Sequence, residues 1–184
     1  CQQIYFPPLA SSFIENSLIQ NGVSPDKAKV ISNISNGDIR LSLSLANNID
    51  ELFSDLKLII KACYSPSPTT WQAVINRTST LKRESMNQLS YFFRTSILYM
   101  RDLHLATHES SNKHFIFNNL INHFRKIIID YPHADWNECI NVLENTFENI
   151  QRNGYLPLMI NAMLIELKQQ IIGEKIKPFS IHDW

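Results

Sequence analysis

The sequence predicts an all-α fold, and three observations carry that expectation. Apolar residues recur three and four positions apart along most of the chain, the spacing of one helix face. Glycine is scarce: of 184 residues only Gly22, Gly37, Gly154 and Gly173 are glycine, and each falls where a helix would start or stop. Hydrophobic residues make up 44% and charged residues 18%, so the chain can bury a real core and is not disordered.

The elements follow in order. Ser12-Phe-Ile-Glu15 has the form of a capping box, Leu9, Phe13, Ile14 and Leu18 supply one apolar face, and Gly22 ends the helix. Ser24 before Pro25 is a second start, with serine as cap and proline at the first helical position. Ala28, Ile31 and Ile34 then face inward. Ile39, Leu41, Leu43 and Leu45 alternate with Arg40, Ser42 and Ser44, which is a strand period. Leucine prefers helix, and no partner strand stands out, so the segment is read as helical.

Ile49, Leu52, Phe53, Leu56, Ile59, Ile60 and Cys63 form an amphipathic stripe that stops at Tyr64-Ser-Pro-Ser-Pro-Thr-Thr70. Prolines among hydroxyl residues make this the best domain linker in the chain. Thr70 caps a short helix around Trp71, Val74 and Ile75. A long helix over 81–107 turns Leu89, Phe92, Phe93, Ile97, Met100 and Leu103 inward, and another over 113–130 carries Phe117, Leu120, Ile121, Phe124, Ile127 and Ile128. Asp135-Trp-Asn-Glu138 starts the next helix, on Trp136, Cys139, Ile140, Leu143, Phe147 and Ile150, and Asn153-Gly154 ends it. The last helix places Leu156, Ile160, Met163, Leu164, Leu167 and Ile171 on one stripe and stops at Gly173, before a loosely attached tail.

Several function classes are disfavoured. Seventeen basic residues balance seventeen acidic ones, so no broad nucleic-acid or anionic-membrane footprint is implied. Cys1, Cys63 and Cys139 contain no CxxC pair and read as free thiols of a reducing cytoplasm. No apolar run approaches the ~20 residues of a membrane span. Four scattered glycines cannot build a phosphate-cradling loop. His104 and His108 stand four apart without the glutamate of a zinc motif and read as solvated, so no metal is expected. Arg101-Asp102 reads first as a structural ion pair, and Trp71, Trp136 and Trp184 as core or interface residues, since no basic residues interleave them. With no nucleophile–base pair in view, catalysis by this chain is not expected. Arg40 is the residue to single out. The dipole does not favour an arginine near a helix N-terminus, though one is tolerated there if it serves an anion; a plain solvated arginine fits as well.

The chain begins at Cys1, without an initiator methionine or signal peptide, and reads as a piece of a longer protein. Cys1-Gln-Gln-Ile-Tyr-Phe6 resembles the end of the ATPase core in clamp-loader AAA+ proteins, just past the motif that supplies an arginine finger. Gly37-Asp-Ile-Arg40 resembles the start of the third helix of their lid, where Arg40 matches the sensor-2 arginine. Phe92-Phe-Arg-Thr-Ser-Ile-Leu-Tyr-Met-Arg-Asp-Leu103 resembles the collar helix of the bacterial DNA polymerase III delta-prime subunit. Ile150-Gln-Arg-Asn-Gly-Tyr-Leu-Pro-Leu158 and Leu164-Ile-Glu-Leu167 resemble that family's final collar helix.

The resemblance covers nearly the whole chain. It implies a three-helix AAA+ lid over 1–63, preceded by a core strand at 2–6, and a helical collar over 69–184. It implies a cytoplasmic role in loading the sliding clamp onto primed DNA, with other clamp-loader subunits as partners. The fragment itself would hold no cofactor, ATP and Mg²⁺ belonging to the full-length complex, and Arg40 would sense nucleotide. Leu98, Tyr99 and Met159 are the interface residues expected on the collar helices. The Arg-Asp-Leu run favours delta-prime over gamma/tau; a free-standing helical interaction domain is the reading from another class.

Overall fold

The computed structural model describes residues 7–108 and 114–173. The expected core strand at 2–6, the start of the 113–130 helix, and the tail with Trp184 lie outside the described residues. Within them the chain forms nine α-helices and no strand, so the all-α expectation holds. They are α1 Ser11–Gln20, α2 Pro25–Ser35, α3 Ile39–Asn47, α4 Ile49–Tyr64, α5 Pro68–Glu84, α6 Met86–His108, α7 Ile121–Asp130, α8 Trp136–Gln151 and α9 Leu156–Ile172. None is long and apolar enough to cross a membrane.

The alternating segment 39–45 is helical. Asp38 caps it, its Oδ1 accepting from the N–H groups of Arg40 at 2.9 Å and Leu41 at 3.0 Å. Helix α1 departs from its expected start: Ala10 is the cap, with no side-chain bond, so the capping box at Ser12–Glu15 does not form. Ser24 and Pro25 do open α2, Asp135 caps α8 by accepting from Glu138 N–H at 2.9 Å, and Gly173 closes α9 at φ +76°.

The middle of the chain differs more. Ser67, not Thr70, caps α5; the two side chains form a reciprocal capping box, with Pro68 in the first turn. The helix that follows is not short but runs to Glu84. The long helix begins only at Met86, because Ser85 is extended at φ −169° and accepts Asn87 N–H on its hydroxyl. Phe117 is not helical either: residues 115–117 form a buried turn leading into a 3-10 turn at Asn118–Leu120 and then α7.

Helices α1, α2 and α3 pack on one another as a small unit. Helices α4 to α9 form the larger bundle, with α6 at its centre against α4, α5, α7 and α8, and α9 against α4, α5 and α8. Helix α4 thus packs with the bundle, and the expected boundary at 63–69 falls inside the α4–α5 hairpin. Across that hairpin Trp71 Nε1 donates to the carbonyl of Ala62 at 3.2 Å, and Arg77 makes a two-pronged pair with Asp55 at 2.6 and 2.9 Å while reaching Glu51 at 2.7 Å. Burial holds the Asp55 carboxyl above its ordinary value despite Arg77, and its carboxylate in turn keeps the Arg77 guanidinium charged. The three-helix unit ends at Asn47 and is tied back to the bundle by Arg94, which donates to the carbonyl of Ile34 at 2.9 Å. One hydrophobic core runs through both parts, from Ile14 and Ile31 to Phe93, Leu143 and Leu167.

The α2–α3 turn sets the pose of the three-helix unit. Asn36 is left-handed at φ 47° and Gly37 follows at φ +90°. The segment before α1 lies over it, Leu9 N–H donating to Gly37 O at 3.2 Å, and a Cβ at Gly37 would fall on the Pro8 ring. Gly37→Ala is therefore expected to cost about 2 kcal/mol or more, from backbone strain and this overlap together. A denaturant midpoint unchanged from wild type would contradict it.

Candidate functional site

Arg40 sits in the first turn of α3, exposed, and its side chain makes no hydrogen bond or ion pair among the described residues. The turn explains how an arginine is tolerated at a helix N-terminus. Asp38, in the cap position, supplies the negative charge that the free N–H groups favour, leaving the guanidinium to solvent. Chain direction through the turn is fixed by the left-handed Asn36–Gly37 pair and by Asp38 N–H donating to Ser35 O at 3.0 Å. A turn with fixed backbone thus presents one cation that is unpaired among the described residues.

The expected interface residues separate. Leu98 and Met159 are half-buried at the edges of α6 and α9, open enough to meet a partner. Tyr99 is not on the surface: it is 0% exposed. Its ring lies edge-on to Phe124 at 5.3 Å and to Phe117 at 6.2 Å, and its hydroxyl reaches Nε2 of His123 at 3.2 Å. The physical reason is the central place of α6. A single inward stripe leaves position 99 outside, but α6 is covered on several sides, and Tyr99 faces the α7 side. Thr95 and Ser96 are buried on the same helix without penalty because their hydroxyls bond back to the carbonyls of Tyr91 at 2.7 Å and Phe92 at 2.8 Å.

Exposed apolar surface concentrates elsewhere. On α9, Leu158, Ile165 and Ile172 are 59%, 40% and 40% exposed and stand seven residues apart, so they form one outward stripe opposite the buried one. Tyr155 precedes it at 72% exposure. The sequence held the signal: besides its buried stripe α9 carries Leu158, Ile165 and Ile172, more apolar residues than one packed face needs.

Arg101-Asp102 holds the bundle together locally. Asp102 is fully buried, and its Oδ2 accepts the N–H groups of Ile116 at 2.7 Å and Phe117 at 2.8 Å; Arg101 Nη1 donates to its Oδ1 at 3.2 Å. Burial pushes this carboxyl above its ordinary value, and the two N–H bonds and Arg101 oppose that shift. The pair is structural, and its main partners are backbone groups that the sequence does not mark.

Nothing at these positions assembles a reaction centre. Burial pushes the Cys63 thiol up to about 12, and raises that of Cys139 as well, so neither supplies a thiolate. His104 and His108 lie edge to face at 5.1 Å at the end of α6. Among the described residues no three His, Cys, Asp or Glu side chains converge on one point. On the surface stand the guanidinium of Arg40 on the three-helix unit and one apolar helix face on the bundle. Compared with known proteins, the chain matches no family model, no curated protein and no solved structure.

Proposed function

We propose that the chain is the part of a bacterial clamp-loader subunit, most like delta-prime, that follows the ATPase core, and that it serves assembly of the complex that loads the sliding clamp onto primed DNA. The observation that carries this reading is the α2–α3 turn. In the order of the resemblance, Gly37-Asp-Ile-Arg40 opens the third helix of a three-helix unit, ahead of a larger bundle, and Arg40 stands exposed with its cation free among the described residues. In this role the guanidinium reaches across the lid to nucleotide held by the core, where a charge-assisted contact to phosphate exceeds a neutral hydrogen bond. ATP and Mg²⁺ belong to the assembled cytoplasmic complex. Leu98, Met159 and the α9 stripe then face neighbouring subunits, in a heterologous ring contact.

Arg40→Ala tests the lid part. In the full-length subunit it leaves stability within about ±0.5 kcal/mol of wild type, as for an exposed substitution, while ATP-dependent clamp loading by the assembled complex falls. An Arg40→Ala chain that unfolds makes the residue structural, and loading at the wild-type rate removes the nucleotide role.

The free-standing interaction domain remains the second reading, favoured by the α9 stripe, which offers a contact surface whether or not an ATPase core precedes it.

A further inference from the structure

A groove of about 680 Å³ opens where the N-terminal end of α2, the outer side of α4 and the start of α7 meet. Its floor is apolar: the half-buried Phe53 and Ile60 stand two turns apart on α4 with the buried Leu56 at its base between them, three and four residues from each, and the half-buried Leu120 lies opposite. Lys57 and Lys61 stand beside that floor one helical turn apart, exposed, with no acidic partner among the described residues. Of the carboxylates at the groove, Asp50 is already taken by Lys27 at 2.6 Å, and Asp26 lies in the first turn of α2. The Phe53 side is fixed in advance: its ring packs edge-on against the buried Phe117, with centroids 6.2 Å apart at 87°. On the far side His123 is exposed, its Nε2 3.2 Å from the Tyr99 hydroxyl.

We propose that this groove binds an acidic amphipathic peptide helix from a partner protein. Three features select that occupant. An apolar strip at three-and-four spacing matches the apolar face of a helix laid in a groove. Two free cations one turn apart match carboxylates at i and i+4 on the incoming helix, which are spaced alike. A preformed wall lowers the ordering cost of binding. A basic peptide meets the like charges of Lys57 and Lys61 beside the floor, so charge sets the choice of partner. The inference rests on this groove alone and does not depend on the clamp-loader reading, since residues 1–184 without any other subunit are enough to test it.

The probe is a fluorescein-labelled helical peptide with leucines on one face and glutamates at i and i+4 beside them, titrated with the chain and followed by anisotropy. Saturable binding is expected, weakened about tenfold or more by Lys57→Glu with Lys61→Glu. Both lysines are exposed, so the variant keeps wild-type helicity by circular dichroism. The same peptide with lysines in place of its glutamates binds the double variant better than the wild type, a rescue that a damaged fold cannot give. A peptide with alanines in place of the leucines does not bind. Equal binding of the acidic peptide by wild type and double variant overturns the proposal, as does the absence of saturable binding. A groove that takes dodecanoate but not the peptide is a site for a lipid-like anion and overturns it too.

Discussion

Tyr99→Glu is expected to unfold the bundle. The side chain is fully buried between Phe117 and Phe124, so the change removes an aromatic packed on two others and puts a carboxylate in its place, with only the rim imidazole of His123 named beside it. Losing a buried aromatic side chain costs about 3–5 kcal/mol, and desolvating the new carboxylate adds to that, against a total stability of about 5–15 kcal/mol for a domain. Tyr99→Phe is the control. It removes only the hydroxyl bond to His123, whose ring is exposed and can turn to water, and should cost about 1 kcal/mol. Thermal melts followed by circular dichroism decide: Tyr99→Glu with wild-type helicity and midpoint would place the residue on the surface after all. The sequence puts Tyr99 beside the core as a partner contact; its burial makes it unusable for that, and Leu98 on the same helix is the residue to mutate for assembly.

Asp102→Ala carries the second large effect. The buried carboxylate is the acceptor for two backbone N–H groups, and alanine leaves both without a partner inside the protein. An orphaned buried donor costs about 1–3 kcal/mol, so a loss of about 3 kcal/mol is expected for the pair. The turn that holds Phe115, Ile116 and Phe117 in the core should then loosen, and with it the Phe53–Phe117 contact under the α4 groove. Asp102→Asn keeps an acceptor oxygen and should lose less. Hydrogen exchange at the amides of Ile116 and Phe117 reads this out directly: fast exchange in Asp102→Ala with α8 and α9 still protected is the expected pattern, and wild-type protection at those amides would contradict it.

What the sequence reveals and what it hides follow one physical line. Features written in a few neighbouring residues are legible. Ser24-Pro25 starts α2, Asp135 starts α8, Gly173 ends α9, and the buried stripe of α9 follows from its own spacing. Arg40 is legible as an exposed cation because a polar residue in a first turn needs no tertiary partner to stay in water. Features that depend on a second element are not. Ser85 looks like any serine in a helical run until α5 and α6 turn against each other there. Phe117 has the spacing of a helix face, but its own N–H and that of Ile116 donate to Asp102, fifteen and fourteen residues away, and the backbone follows those bonds. Tyr99 needs α7 to be buried. The proline-rich segment 64–70 signals a break in the chain correctly, yet whether a break separates domains is decided by what packs across it, and Trp71 and Arg77 pack across this one. The groove beside α4 is likewise invisible in one dimension, since Asp26, Lys57 and His123 come from α2, α4 and α7.

The proposed assembly of this chain with clamp-loader subunits through its bundle is read by sedimentation velocity of the chain alone and mixed with the gamma and delta subunits of the same organism. Expected are a monomer alone, a faster mixed complex, and loss of that complex in Ile165→Glu, an exposed substitution on the α9 stripe that leaves the fold intact. A chain that ignores the subunits and sediments as a tight symmetric homodimer would contradict it.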